Sequence, residues 1–141
     1  MMRDMSVSSP DKSYNIMWID DLKYNEDGLI PAIAQQHDTN EVLMMAWMNE
    51  ASIKESLETG RVCYWSRSRQ AFWRKGESSG QVQMLKEFRV DCDSDTLLLL
   101  VDQTGPACHT GRRSCFYQLA DGEKLVIDSE PLIDPKELYG K

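Results

Sequence analysis

The sequence lacks the features that mark several large classes of protein. Its uninterrupted apolar runs are all far too short to cross a bilayer, and residues 1–15 show no apolar segment behind a basic one, as a secretory signal would. Basic residues are outnumbered 16 to 23, and the resulting net charge of −7 disfavours a general nucleic-acid binder, whose field must attract phosphate. We therefore expect a cytoplasmic protein that binds neither membranes nor nucleic acids.

Residue types that bind transition metals are also scarce, because the chain has only 2 histidines and 4 cysteines, with no CxxC spacing. In a cytosolic chain, disulfides are the less favoured use of cysteine, and metal binding or catalysis becomes the leading alternative. Cys63 lies in a strand-like run and is expected to be a small buried hydrophobe. The other three, Cys92, Cys108 and Cys115, match the three protein ligands of a catalytic zinc site that keeps an open position for water. Spacing alone equally allows three ordinary buried cysteines.

The chain does contain regular strand and turn signals, in a length of 141 residues that suits one domain. Asn49 is expected to cap a short helix that stops before Gly60. We predict a mobile lead-in over residues 1–15 and a single domain over residues 16–141. Strands are predicted over residues 28–36, 42–48, 61–68, 82–93 and 97–103, followed by a hairpin of residues 116–119 with 125–127. The fold class is therefore α+β, with a curled, largely antiparallel mixed sheet (a pseudo-barrel) and a few short helices.

The stretch VDCDSD, residues 90–95, places carboxylates at every second position with a thiol between the first two. If the stretch is extended, Asp91, Asp93 and Asp95 point to one face and Cys92 to the other. Closely spaced oxygen ligands suit Mg²⁺, whereas a thiolate suits Zn²⁺. An EF-hand is excluded, because the sixth loop position would not be glycine and the twelfth would not be glutamate. The alternative to a metal site is a solvated acidic turn.

A basic and aromatic segment, residues 61–76, stands out in this acidic chain because it contains no acidic residue. Its arginines, lysine and serines supply donors for phosphate oxygens, and its tryptophans offer faces that could stack on a heterocycle. With the glycine-containing loop that follows, this composition suits a nucleotide better than a polymer. The alternative is a sheet face with solvated arginines and core aromatics. The candidate substrate-binding residues are Trp65, Ser66, Arg67, Ser68, Arg69, Trp73, Lys75, Glu77 and Ser79.

Three stretches taken together resemble one known family. AQQHDTNEVLMMAWMNEASI, YWSRSRQAFWRKGESSG and VDCDSDTLLLLVDQTGPACHTGRRSCFY are similar to the phosphoribosyl-AMP cyclohydrolases of histidine biosynthesis, over about residues 28–117. Gln81 departs from the family pattern, since relatives often show histidine or asparagine there. In some relatives a pyrophosphohydrolase domain follows, and we expect this chain to be the single-function form.

The resemblance implies hydrolytic opening of the adenine ring of phosphoribosyl-AMP at its N1–C6 bond, by a homodimer that uses Zn²⁺ and Mg²⁺. The zinc is expected at the subunit boundary. His109, beside Cys108, is the first candidate for the general base, and the substrate-binding residues above would hold the phosphates and the ring. The implied ligands are Cys92 of one chain with Cys108 and Cys115 of the other for zinc, and Asp91, Asp93 and Asp95 for magnesium.

Two other classes of function stay open at this point. A zinc nucleobase deaminase would attack the same carbon, but its H-x-E…P-C-x-x-C signature is absent. A structural zinc or redox-sensing module would need full tetrahedral coordination or a reactive thiol pair, and it leaves the basic and aromatic segment without a use. The coordination of zinc separates these classes, because an exchangeable water on the metal supports an enzyme.

Overall fold

The computed structural model describes residues 17–139, so the predicted lead-in over residues 1–15 lies outside the described residues. No helix in the described part of the chain is long and apolar enough to span a membrane. In chain order the elements are α1 (Met17–Asp20), β1 (Ile30–Gln36), β2 (Val42–Met48), α2 (Glu50–Thr59), β3 (Cys63–Ser66), β4 (Ala71–Arg74), β5 (Gln83–Val90), β6 (Leu97–Gln103), β7 (Gln118–Asp121), β8 (Lys124–Ile127) and α3 (Pro135–Tyr139).

Two parallel strands, β1 and β6, form the centre of the main sheet. Along most of both strands, buried residues alternate with more exposed ones, as expected when one face of a strand lies on the core. Ala32 pairs with Leu97, which places two fully buried side chains next to each other. Because the strands are parallel, both end at one edge of the sheet, where the Gln103 N–H donates to Gln36 Oε1 at 2.9 Å. The loop that carries Cys108 begins at this edge.

The six-stranded sheet, in the order β4-β3-β2-β1-β6-β5, curls until its two ends approach each other. The chain just before β3 reaches β5, since the Val62 N–H donates to Gln83 O at 3.0 Å and the Leu85 N–H to Gly60 O at 2.8 Å. Every neighbouring pair except β1–β6 is antiparallel. The predicted α+β class with a curled, largely antiparallel mixed sheet is therefore confirmed, as a half-barrel with short helices.

The predicted helix after Asn49 is confirmed together with both of its end signals. The Asn49 side chain accepts the Ser52 N–H at 2.8 Å, and the Ser52 hydroxyl accepts the Asn49 N–H at 2.9 Å, which is a reciprocal capping pair. Gly60 ends the helix with a φ of 77°, a left-handed conformation that glycine adopts without strain. Local side-chain chemistry thus sets both ends of α2.

Several strand boundaries differ from the prediction. The strand predicted over residues 61–68 ends at Ser66, and the unpredicted strand β4 pairs with it after a turn at residues 67–70. That turn contains no glycine, and Gln70 adopts the positive φ of 52° in its place. A positive φ is uncommon for a residue other than glycine, so the sequence did not signal the turn. The strand predicted over residues 82–93 ends earlier, at Val90. The C-terminal hairpin is confirmed, with its strands shifted so that the turn falls at Gly122.

Candidate active site

Two of the three candidate zinc ligands, Cys108 and Cys115, come together in the loop that follows β6. The loop folds back on itself, and the Ala107 N–H donates to Arg113 O at 3.0 Å. Cys115 is fixed against β2, since its N–H donates to Leu43 O at 2.7 Å. Both thiols are free rather than joined in a disulfide, and Cys108 is close enough to Cys115 to raise the pKa of its thiol.

The surroundings of this thiol pair fit a soft metal ion. Burial raises the pKa of the Cys115 thiol to about 12, although the residue as a whole is exposed, and the neighbouring Cys108 thiol raises it further. Lys75 acts in the opposite direction on the same thiol. The Thr110 hydroxyl donates to Cys108 Sγ at 3.1 Å. A hydroxyl donor and a cation thus face two adjacent free thiols, and thiols bind zinc as thiolates once they have lost their protons.

Lys75 lies under the thiol pair rather than with the exposed basic residues of its segment. It is only 4% exposed, its ammonium donates to Ala107 O at 2.8 Å, and the nitrogen lies 5.6 Å from the centre of the Trp73 ring. Among residues 17–139, Lys75 forms no ion pair with a carboxylate. Burial lowers the pKa of Lys75, and the thiols of Cys115 and Cys108 act against this. The groups near this buried cation that become anionic when they lose their protons are therefore the two thiols.

Cys92 is not part of the thiol pair. It precedes β6 whereas Cys108 follows it, and a seven-residue strand of this kind spans about 20 Å. The ligand atoms of Cys92, Asp91 and Asp93 lie within 4.8 Å of one another, and within the described residues this is the only such convergence of three or more potential metal ligands. A single chain therefore does not bring the three candidate zinc thiols together.

The acidic stretch around Cys92 is a tight turn and not the extended ribbon predicted from the sequence. After Val90 the chain reverses, and Asp91 Oδ1 accepts the N–H of Asp95 at 2.9 Å and of Thr96 at 3.2 Å. Ser94 adopts a φ of 62°, which the reversal requires. The Asp95 N–H is the main cause that holds the pKa of the Asp91 carboxyl below its usual range.

This turn overturns the prediction that the carboxylates face one way and the thiol the other. Side chains alternate only along an extended strand, so in the turn the Cys92 thiol lies beside the carboxylates of Asp91 and Asp93. Asp95 is not a member of that group, and its carboxylate accepts the Thr96 hydroxyl at 3.4 Å. Hard oxygen ligands and a soft sulfur ligand are thus neighbours at one exposed site.

Four of the predicted substrate-binding residues converge at the turn between β3 and β4. The Ser66 hydroxyl accepts the Arg69 N–H at 3.3 Å and the Arg69 Nε–H at 3.4 Å, and it lies 3.4 Å from the Ser68 hydroxyl. Arg67 lies over the Trp47 ring at 4.9 Å. Both arginines are exposed, and in the described part of the chain neither is in an ion pair. This turn therefore presents two exposed guanidinium groups that an anion can reach.

The two tryptophans of the segment lie on opposite faces of the β3–β4 hairpin. Trp65 pairs with Phe72, and their rings meet edge to face at 5.5 Å. Trp73 pairs with Tyr64, which is fully buried, and packs against the core. Directly opposed residues share a face and adjacent ones do not, so Trp65 and Trp73 cannot both stack on the same heterocycle. Trp73 is partly buried, and its contacts are with the core.

The remaining predicted site residues lie in two loops. Glu77 is exposed in the loop after β4, and Ser79 is held there by Gln81, whose Nε2 donates to Ser79 O at 3.3 Å. A Cβ on Gly76 would lie 2.5 Å from the Gln81 carbonyl carbon, so this loop closes only around glycine. His109 is exposed in the turn directly after Cys108. Sequence reasoning missed the contact of Thr110 with Cys108 and assigned Lys75 to the exposed donors.

The chain is closely similar to proteins that share one name. A model of the phosphoribosyl-AMP cyclohydrolase family matches residues 44–117. The phosphoribosyl-AMP cyclohydrolase of Halorhodospira halophila is 66% identical over 122 residues, 86% of this chain and 86% of that protein. The protein of that name from Hydrogenovibrio crunogenus is 68% identical, over 85% of this chain and 82% of its own length. The one from Alkalilimnicola ehrlichii is 69% identical, over 84% of this chain and 83% of its own length. These matches show that the chain belongs to the phosphoribosyl-AMP cyclohydrolase family.

Proposed function

We propose that this chain is a phosphoribosyl-AMP cyclohydrolase of histidine biosynthesis. Water adds to C6 of the N1-ribosylated adenine, the N1–C6 bond breaks, and the formimino-carboxamide ribotide is formed. The observation that carries the proposal is the identity of 66–69% to proteins of that name over most of both chains. This name favours a cyclohydrolase over a nucleobase deaminase, which would attack the same carbon, and over a structural zinc module.

The thiols of Cys108 and Cys115, with Cys92 of a second subunit, are proposed to bind Zn²⁺. The fit rests on the two adjacent free thiols, the buried ammonium of Lys75 and the hydroxyl donor that faces Cys108. Zinc at this position would supply a Lewis acid that makes water a stronger nucleophile near neutral pH. Because β6 separates Cys92 from the pair in one chain, a homodimer is the assembly that completes the set.

The acidic turn is proposed to hold Mg²⁺. Asp91 and Asp93 converge there, and Asp91 keeps its second carboxylate oxygen for a ligand because only its Oδ1 accepts the turn's N–H groups. Asp95 lies beside them, with its carboxylate directed to the Thr96 hydroxyl. Oxygen ligands of this kind suit a hard cation, which offsets the negative charge of substrate phosphates.

The chain's own side chains are proposed to bind the substrate and to accept a proton from the attacking water. Arg67 and Arg69, with the hydroxyls of Ser66 and Ser68, are proposed to donate to phosphate oxygens, since they converge at one exposed turn. His109, next to a zinc ligand and open to solvent, is proposed to accept the proton that the attacking water loses as its oxygen bonds to C6. As the N1–C6 bond breaks, the C6 hydroxyl becomes a carbonyl and N1 takes up the proton that this hydroxyl loses, so that both protons of the water are accounted for.

The direct test is the ultraviolet change on mixing the purified, metal-loaded protein with phosphoribosyl-AMP and Mg²⁺. Ring opening removes the purine chromophore, and we expect this change to disappear when a zinc chelator strips the protein. Ring opening that survives complete removal of zinc would contradict the zinc assignment. No ring opening by a folded protein loaded with zinc and magnesium would contradict the proposed function itself.

The chain offers a matched pair of variants for the proton acceptor. His109 and His37 are its only histidines, and both are exposed in turns. We expect His109→Ala to lower kcat by about 100-fold or more, with the zinc content unchanged, and His37→Ala to leave kcat near the wild-type value. Loss of zinc from His109→Ala would show instead that His109 is a metal ligand.

A further inference from the structure

The β7–β8 hairpin, residues 118–127, forms a separate two-stranded sheet in which every strand residue is exposed. It nevertheless carries large apolar side chains, with Leu119 57%, Leu125 67%, Val126 40% and Ile127 56% exposed. A two-stranded hairpin alone is marginally stable in water, and a contiguous exposed apolar surface marks an interaction site. The hairpin is therefore built to lie against another surface.

The strand pairing assigns these side chains to two chemically different faces. Ala120 pairs with Leu125, and Ile127 lies on the same side, opposite Gln118, so this face is mostly apolar. On the opposite face the pair Leu119 and Val126 is followed by the charged pair Asp121 and Lys124. The first face is suited to be covered, and the second to remain partly in water.

The position of the hairpin in the chain identifies what covers it. β7 begins three residues after Cys115, and in one chain Cys92 lies at the other end of β6. Zinc–sulfur bonds are about 2.3 Å long, so Cys92 of a second chain and Cys115 can bind the same zinc ion only when they are close together. The surface of that second chain around Cys92 must then lie next to the start of the hairpin. We propose that the hairpin is a dimerisation arm, whose Ala120–Leu125–Ile127 face packs on a second copy of this chain; this inference rests on the shared zinc site of the proposed function.

A matching surface lies near Cys92, on the side of the sheet that faces away from the core. Met45 pairs with Ile33, and Ile33 pairs with Leu98, so these three apolar side chains form one row across β2, β1 and β6. All three are part-exposed or exposed, and Met45 is 40% exposed. Leu98 is the second residue of β6, which places this row at the end of the strand where Cys92 lies. In a two-fold dimer each subunit offers both the arm and the row.

The chain provides a matched pair of variants to test the arm. Leu125→Thr/Ile127→Thr removes apolar groups from the proposed contact face, and Leu119→Thr/Val126→Thr makes the same change on the opposite face with strand-forming residues retained. We expect the first variant to raise the dimer dissociation constant by on the order of 100-fold, and the second to leave it near the wild-type value. Sedimentation equilibrium of the zinc-loaded protein without substrate measures both, and circular dichroism checks that each variant keeps its fold.

Three outcomes would overturn the arm: a monomeric wild-type protein, two variants that both remain as dimeric as the wild type, or dissociation caused by the opposite-face variant instead. The measurement of mass needs no substrate, so it separates this inference from the proposed function. If the masses change as expected and the wild type opens no adenine ring, the cyclohydrolase proposal fails and the arm stands. If the ring opens and Leu125→Thr/Ile127→Thr stays dimeric, the arm fails alone.

Discussion

At the residue scale, Lys75 shows how burial changes the meaning of a charged side chain. Burying an ammonium is unfavourable unless hydrogen bonds and an opposite charge compensate it. Lys75 donates to Ala107 O, directly before Cys108, and the neighbours that can compensate its charge, once they lose their protons, are the thiols of Cys108 and Cys115. Its charge and its hydrogen bond therefore both act on the loop that presents the two thiols.

Replacing Lys75 with methionine should consequently weaken zinc binding. The neutral side chain no longer offsets thiolate charge or holds the Ala107 carbonyl, and we expect zinc affinity to fall about 10- to 100-fold, as for other groups that orient metal ligands. Competition with a chelator of known affinity measures this change. Lys86→Met, at an exposed position of β5, is the control that should bind zinc as the wild type does. Equal affinity in the two variants would refute the charge-compensating role.

The raised pKa of Cys115 leads to a second residue-scale prediction. In the metal-free protein this pKa is about 12, above the ordinary thiol value, so the thiol keeps its proton throughout the neutral range. Binding zinc must release that proton, and zinc affinity should therefore rise with pH, by about tenfold per pH unit for each thiol proton released. Zinc titrations in weak buffer with a pH indicator count the protons, and affinities at about pH 6.5 and about pH 8 test the slope. A pH-independent affinity would contradict the protonated state of the thiol.

At the element scale, the turn of residues 91–96 combines a structural and a ligand role in one carboxylate. Asp91 Oδ1 closes the turn through two backbone N–H groups. Asp91→Asn keeps an oxygen acceptor and removes the charge, whereas Asp91→Ala removes both. We expect both variants to lose Mg²⁺ binding, and only the alanine variant to lower the thermal midpoint of unfolding. Calorimetric titration with Mg²⁺ measures the ligand role, and a thermal melt measures the structural role. If the Asp91→Asn variant still binds Mg²⁺ as tightly as the wild type, Asp91 is not a ligand.

The same turn shows where sequence reasoning stops. The ends of α2 were predictable, because Asn49 and Gly60 act through contacts within a few residues. The reversal after Val90 requires a positive φ at Ser94, and the turn before β4 requires a positive φ at Gln70. Neither serine nor glutamine predicts this backbone conformation. The burial of Lys75 had no such signal, because β4 ends at Arg74 and Lys75 lies in the turn that follows it.

At the scale of the whole molecule, the half-barrel separates ligands that the sequence brings close together. The candidate zinc ligands were predictable by resemblance, but their distribution over two ends of β6 follows from strand direction and length, which no local pattern encodes. The parallel pairing of β1 with β6 also places the buried Gln36 and Gln103 under the loop of the thiol pair. We therefore expect a complete zinc site only in an assembly of two chains.

Hybrid dimers test this property directly. A Cys92→Ala subunit still supplies Cys108 and Cys115, and a Cys108→Ala subunit still supplies Cys92, so a dimer of the two contains one intact site and one doubly damaged site. After the two inactive variants are refolded together in equal amounts, half of the dimers are hybrids, and we expect about one quarter of the wild-type zinc content and activity to return.

The matched control is a mixture of Cys108→Ala and Cys115→Ala subunits. Both lesions then fall in the same half of every site, so no combination of these subunits contains a complete set of thiols. We expect no recovery of zinc or activity in this mixture, and recovery there would show that random refolding rather than complementation restores the site. If the Cys92→Ala and Cys108→Ala mixture also stays inactive while sedimentation proves that hybrids have formed, zinc is not shared between subunits, and the separation of the thiols along β6 must have another purpose.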